Sequence, residues 1–185
     1  MKKFFTTLVS IVAVMVMILG IPGQSAALLL SGTSLIDGTA RDIIEAPEYI
    51  LDDSPGATNF QQQGFNEQQG VTLTRDIQVD NDWISEGTSV DSHMIFLNTP
   101  EGQGGARDIV EWMFDGLILG IMSDITGMLE EASTDLLGHP DSEYPPTQPD
   151  GSLYVCRGLE KGTGDGYMFS GNTLTLNMGV LEPGD

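Results

Sequence analysis

Turn-forming residues recur roughly every ten positions along this chain and limit the length of the elements between them. The 185-residue sequence contains 23 glycines and 9 prolines, which interrupt helices and the interiors of strands. Between them lie short runs rich in β-branched and apolar residues. Short strands bounded by turn signals are typical of antiparallel sandwiches. We therefore predict a mainly β fold, an antiparallel, jelly-roll-like β-sandwich.

Alternation of apolar and polar residues places the individual strands. Residues 71–79 alternate over their whole length, and residues 92–98 are apolar enough for an interior strand. The Asp-Gly pair at 115–116 predicts a hairpin between residues 110–114 and 117–122, because Asp-Gly adopts type I′ turns. A second hairpin is predicted around residues 170–172, and the Gln-rich stretch 57–70 is expected to be irregular.

One short helix is predicted at Met128–Leu137, where apolar residues recur at helical spacing. Asp124 or Thr126 can cap its start, and Gly138 followed by Pro140 can end it. We expect this helix to cover an open end of the sandwich.

The N-terminus has the three parts of a secretory signal peptide. Lys2 and Lys3 precede an apolar run over residues 8–21, and Ser25 and Ala27 supply small residues at the cleavage point. We predict removal of residues 1–27, a single domain at 28–185, and a secreted or cell-surface location in a bacterium. The alternative is an uncleaved membrane anchor, but the run falls short of the about 20 apolar residues of a membrane span. No later stretch of the sequence is apolar enough to span.

The chain is strongly acidic, with 27 Asp and Glu against 7 Lys and Arg and a net charge of −20. Nucleic acids and anionic membrane surfaces are therefore not expected partners, since like charges repel. Two interpretations of the acidity remain open: a solvated coat that keeps the protein soluble, and carboxylates that bind calcium. The lone cysteine, Cys156, lies in an apolar run and is interpreted as a small buried residue.

The calcium hypothesis has specific candidate ligands. Asp80 and Asp82 flank Asn81 on a predicted turn, with Asp76 upstream and Asp91 downstream. Oxygen ligands clustered on loops are what calcium requires. The glycine of an EF-hand loop is missing, however, so a solvated hairpin tip is the competing interpretation.

The function is predicted from the export signal, the acidity, the strand pattern and the lack of catalytic motifs in the sequence. Trp83, Tyr154 and Tyr167 are candidates for stacking on a ligand, whereas Trp112 is expected in the core. The predicted function is a non-catalytic extracellular binding or structural module that contacts glycans or matrix polymers. The alternative is a polysaccharide hydrolase with a carboxylate pair at Glu111 and Asp115. The oligomeric state is left open.

The two histidines indicate no catalytic or metal chemistry by their spacing. His93 begins an apolar strand-like run, and we interpret it as a hydrogen-bonded structural residue.

Several short motifs carry a resemblance to a known group of proteins. They are G-F-N-E-Q-Q-G-V at 64–71, G-T-S-V-D-S-H-M at 87–94, F-D-G-L-I-L-G at 114–120, G-N-T-L-T at 171–175 and E-P-G-D at 182–185. Together they resemble uncharacterised secreted bacterial proteins, many of which carry a C-terminal PEP-CTERM sorting tag. The resemblance implies secretion and a further strand beyond Asp185, so we expect the sequence to be C-terminally truncated. The tag itself is absent from this sequence, and the group supplies no catalytic residues.

Overall fold

A computed structural model describes residues 11–19, 27–50, 60–99, 104–144, 158–159 and 164–180. In these ranges the chain forms twelve β-strands and one α-helix. The strands of the two large sheets pair antiparallel. The mainly β, antiparallel class predicted from the turn spacing is therefore confirmed.

The first sheet is built around two long apolar strands. It contains β1 (Ile11–Leu19), β4 (Gln63–Asn66), β5 (Val71–Thr72), β8 (Ser89–Asn98) and β10 (Ile118–Met122). Their order is β10-β1-β8-β4, with β5 also paired to β8. Residues 11–19 of the apolar run of the predicted signal peptide thus form β1, a strand with neighbours on both sides. Its export and cleavage stay predictions.

The second sheet has the order β11-β12-β9-β2-β3. Its strands are β2 (Leu29–Ser34), β3 (Ala40–Arg41), β9 (Ala106–Phe114), β11 (Gly166–Ser170) and β12 (Thr173–Val180). A separate hairpin is formed by β6 (Ile77–Val79) and β7 (Asp82–Ile84).

The main core cluster takes residues from both large sheets. Trp112, Leu176 and Val16 belong to it, and each is fully buried. A second cluster lies on the other face of the first sheet, where β6, β7 and the helix contribute Ile77, Ile84 and Leu137. The jelly-roll-like sandwich connectivity stays a prediction.

The prediction of a hairpin at Asp115-Gly116 is wrong. The strands before and after it, β9 and β10, belong to different sheets and do not pair with each other. The turn is instead held from outside, because Asp115 N–H donates to Leu28 O and Ile118 N–H donates to Gly171 O. Trp112 before the turn and Ile118 after it enter the same core cluster. The Asp-Gly turn therefore carries the chain between the sheets.

The single strand predicted at 71–79 is interrupted. Leu73, Ile77 and Val79 do share one buried cluster, as the alternation indicates, but only β5 and β6 are strands. Leu73 pairs locally with the chain at Gly87 and Thr88, while Asp76 accepts the N–H of Glu86 at 2.8 Å. These local bonds take the place of a continuous ladder.

The Gln-rich stretch 57–70 is not wholly irregular, because β4 lies within it and pairs with β8. Other predicted elements are confirmed. Residues 92–98 lie in β8, and β11 pairs with β12 around a turn in which Gly171 has φ 63°. The helix α1 spans Met128–Leu137 as predicted, and the carboxylate of Asp124 accepts the N–H groups of Met128 and Leu129.

Candidate functional site

A groove of about 240 Å³ lies between the end strands of the two sheets. One wall is β10, the other is β11, and the tip of the β6–β7 hairpin closes one end. We call it the hairpin-tip groove. Its lining residues are Val79, Asp80, Asn81, Asp82, Leu119, Gly120, Ile121, Tyr167 and Phe169. Three residues singled out from sequence, Asp80, Asp82 and Tyr167, therefore meet in one site.

Asp80 fixes the geometry of the groove by joining three elements. Its Oδ1 accepts Ser123 N–H at 2.7 Å, and its Oδ2 accepts the hydroxyls of Ser123 and Tyr167, the latter at 2.8 Å. Its own N–H donates to Ile121 O at 2.9 Å. Hydrogen bonds to an ionised group are stronger than neutral ones. The hairpin tip, the end of β10 and β11 are thus held together by one side chain.

Two aromatic rings form the apolar wall. Tyr167 and Phe169 are two residues apart in β11, so they leave the same face of the strand. Their rings are stacked at an angle of 21°, with centroids 6.3 Å apart. Burial, together with the hydrogen bond to Asp80, raises the pKa of Tyr167, so its phenol stays neutral. Phe169 is 44% exposed and offers free ring surface.

Sequence reasoning missed Phe169, although a signal for it exists. An aromatic-x-aromatic pattern in a predicted strand places both rings on one face, and Tyr167-Met168-Phe169 has that pattern. The exposed rim is completed by Asn81 and Asp82, which supply amide and carboxylate oxygens beside the rings.

The other two predicted calcium ligands lie apart from this groove. Both oxygens of Asp91, which is fully buried, accept backbone N–H groups, from Ala27 at 2.9 Å and from Gly70 at 2.6 Å. Asp76 accepts Glu86 N–H. In the part of the chain that the structure describes, no group of three or more His, Cys, Asp or Glu residues could hold a metal ion. The calcium site stays a sequence prediction.

Of the remaining aromatic candidates, Trp83 lies in a different groove. Trp83 is 59% exposed and lines a second groove of about 280 Å³ between the β6–β7 hairpin and α1. Since Asp82 and Trp83 are consecutive in β7, their side chains leave opposite faces. Tyr154 and Cys156 lie outside the described residues.

Trp112 is confirmed as a core residue and is held by a buried polar network. Its indole N–H donates to Gln62 Oε1 at 2.9 Å, and the Gln62 amide donates to Asp108 O and Leu176 O. Asp108 accepts two bonds from Arg41, at 2.6 and 3.0 Å, and raises the pKa of that guanidinium. All four side chains are buried. This network has a structural role.

His93 is a buried structural residue, as predicted. Its Nδ1 lies 2.8 Å from Asn66 Oδ1, and its ring contacts Phe114 with a centroid separation of 5.2 Å. Burial lowers the pKa of His93 to about 3, so the imidazole is neutral at ordinary pH.

The carboxylates considered for hydrolysis lie on β9 and in the turn after it. Glu111 is an exposed residue of β9, next to the buried Trp112. Asp115 accepts the N–H of Leu28 at 2.6 Å, so one of its oxygens orders the start of β2.

Among the described residues, no helix has the length and apolar character needed to cross a membrane. Comparisons with protein-family models, with curated proteins and with solved structures gave no match. The resemblance to secreted bacterial proteins stays a prediction.

Proposed function

We propose that the protein is an exported, non-catalytic β-sandwich that binds a neutral extracellular polysaccharide in the hairpin-tip groove. The observation that carries this proposal is the stacked Tyr167–Phe169 pair beside the exposed polar rim of Asn81 and Asp82. Sugar rings present apolar C–H faces and hydroxyl edges. A site with an aromatic wall and a few fixed polar groups matches both.

The charge of the protein favours a neutral polymer over an acidic one. The groove contains Asp80 and Asp82, and the whole chain carries a net charge of −20. An anionic polysaccharide would be repelled both at long range and at contact. Neutral hydroxyls, in contrast, can donate to the Asp82 carboxylate and the Asn81 amide oxygen.

The other two parts of the proposal, export and the sandwich fold, are supported by the sequence and by the core that the two sheets share. The N-terminal pattern of residues 1–27 supports export. The core cluster that draws on both sheets supports a jelly-roll-like sandwich. Calcium is a separate proposal, and its sequence support is the acidic hairpin tip.

A matched pair of variants on β11 tests the groove. Phe169→Ala removes the exposed ring, whereas Met168→Ala truncates the neighbouring side chain, which leaves the opposite face and is 71% exposed. Burying a phenylalanine side chain contributes about 1.5–3 kcal/mol. We therefore expect Phe169→Ala to weaken binding of a neutral glucan roughly 10- to 100-fold. Met168→Ala should leave the affinity unchanged.

Affinity electrophoresis in gels containing a neutral glucan or a uronic acid polymer measures both affinities. Unfolding midpoints of the two variants verify that the fold is retained. The proposal is refuted if Met168→Ala weakens binding as much as Phe169→Ala, or if the protein is retarded only by the acidic polymer.

A further inference from the structure

The strand β1 occupies the centre of the first sheet. It pairs over nine residues with β8, from Ile11–Asn98 to Leu19–Val90, and over four with β10. Its middle side chains are at most 1% exposed and alternate between two clusters: Val14 and Val16 enter the core shared by both sheets, Met15 and Met17 the cluster under α1. The segment contains no charged residue.

The same segment lies within the apolar run of the predicted signal peptide. Processing after Ala27 would remove it from the mature protein, and the following inference rests on this export part of the proposed function. β8 and β10 both run antiparallel to β1, so they are parallel to each other. Without β1 they would stand two strand spacings apart, about 9.5 Å, with facing backbone groups unpaired.

Neighbouring contacts hold this gap open. On its far side β8 is paired with β4, and Asp91 accepts the N–H of Gly70 at 2.6 Å. β10 is attached to the hairpin tip through the bond from Asp80 N–H to Ile121 O. Every other strand of the described ranges already has a pairing partner. The described part of residues 28–180 therefore offers no spare strand to refill the gap.

We propose that the gap between β8 and β10 is a strand-acceptor site, which in the processed protein receives an uncharged apolar strand from a different polypeptide. The strand enters antiparallel to β8, adds backbone hydrogen bonds on both sides, and buries both of its faces. A second copy of the chain is disfavoured as the donor, because two processed copies repel each other; each is more acidic than the full chain of net charge −20, since Lys2 and Lys3 are removed.

The site also specifies the side chains of its occupant. Positions that take the place of Val14 and Val16 face the packed core between the sheets and suit β-branched residues. Positions that take the place of Met15 and Met17 face α1 and the β6–β7 hairpin and suit long, flexible side chains. A charge at any of these four positions would be buried without a partner.

The experiment starts from the full chain with a specific protease site inserted between Ala27 and Leu28. After folding and cleavage, the protein is incubated at intermediate urea with synthetic peptides that carry Lys tags outside the strand sequence. The native peptide is I-V-A-V-M-V-M-I-L. A matched control of identical composition, I-V-A-M-V-M-V-I-L, exchanges the two faces, and a third peptide carries Val14→Asp. Native mass spectrometry reports which peptide replaces the cleaved segment.

We expect the native peptide to be incorporated one to one, the face-exchanged peptide at least about 10-fold more weakly, and the Asp peptide at least about 100-fold more weakly. The uncut protein carrying Val14→Asp should lose its cooperative unfolding transition, because the new charge cannot be buried in the core. Addition of the native peptide should restore the transition. The proposal is overturned if the cleaved segment leaves and the unfolding midpoint is unchanged, or if all three peptides bind alike.

A defined oligomer of cleaved protein that excludes every peptide also overturns the proposal, because the donor is then a second copy. Glucan binding is measured on the same samples. A protein that accepts the peptide but ignores glucan contradicts only the groove, and the reverse result contradicts only the strand-acceptor site.

Discussion

Replacing Asp108 by asparagine tests the buried network around Trp112. The carboxylate accepts Arg41 Nε at 2.6 Å, Arg41 Nη2 at 3.0 Å, Gln62 N–H at 3.1 Å and Ser34 Oγ at 3.2 Å. Asp108→Asn keeps the size of the side chain but removes its charge and turns one acceptor atom into a donor. Arg41, which is 6% exposed, then lacks its buried counter-charge.

Breaking a buried ion pair by removing one partner costs about 3–5 kcal/mol. Single domains have unfolding free energies of about 5–15 kcal/mol in total, so this loss is a large part of the stability. With a urea m value of about 2 kcal/mol/M, we expect the unfolding midpoint to fall by roughly 1.5–2.5 M. Urea unfolding at pH 7, followed by the fluorescence of the buried Trp112, measures the shift.

Two further variants identify the source of the loss. Arg41→Met in the Asp108→Asn background removes the uncompensated charge and should restore part of the stability. Asp37→Asn removes the other, exposed partner of Arg41 and should have a much smaller effect. The reasoning is refuted if Asp108→Asn costs under about 1 kcal/mol, or if Asp37→Asn is equally damaging.

Three other predictions concern pH, packing and calcium. Because burial lowers the pKa of His93 to about 3, its contribution to stability is complete above pH 6.5 and is lost as the pH falls towards 3. The free-energy difference between wild type and His93→Gln should therefore change by about 1.4 kcal/mol per pH unit in that window; urea unfolding at pH 4 to 7 tests this, with His139→Gln as control, and a flat difference contradicts it. A Cβ at Gly32 would lie 2.4 Å from the Trp112 ring, so Gly32→Ala should cost about 1–3 kcal/mol by thermal unfolding; Gly166→Ala, with no atom within 4 Å, should be neutral, and equal losses would contradict the packing argument. The sequence-based calcium site predicts that the thermal unfolding midpoint rises by roughly 5–10 °C with calcium at 100 times its Kd, relative to the protein in chelator. An unchanged midpoint would refute the calcium hypothesis.

Local signals predicted the elements whose structure is decided locally. β8 and β12 follow from apolar runs and alternation, and α1 follows from helical spacing, a capping carboxylate at Asp124 and Gly138 after its end. Each of these signals lies within about ten residues of the structure it specifies, so no knowledge of distant partners was needed.

Contacts between segments that lie far apart in the sequence were not predictable in the same way. Asp115-Gly116 is compatible both with a hairpin and with a crossing between sheets, and bonds to Leu28 and Gly171, far away in sequence, select the crossing. Gln62 lies in a stretch whose composition indicates a loop, yet its amide satisfies buried groups on β9 and β12. Such partners become visible only when the sheets are assembled.

The candidate site was predicted in pieces. The acidic turn at Asp80 and Asp82 and the aromatic residue Tyr167 were identified separately, 85 or more positions apart in the chain, and the hydrogen bond from the Tyr167 hydroxyl to Asp80 joins the turn to β11. Trp83 was grouped with Tyr167 by residue type alone. Strand geometry then assigns it to another groove, because its side chain leaves the opposite face from Asp82.

The pairing of β1 with β8 also determines how long β1 stays unpaired during synthesis. The partners of β1 lie roughly 70–90 residues further along the chain, and translation adds about 5–20 residues per second. For roughly 4 to 18 s, therefore, the apolar segment has been made while its docking partner has not. The proposed export therefore requires that an export machinery captures the segment within that interval, because in the completed fold Val14–Met17 are no longer accessible. Under that proposal, the rate of capture and the rate of folding compete, and the outcome is decided before the ribosome reaches β9.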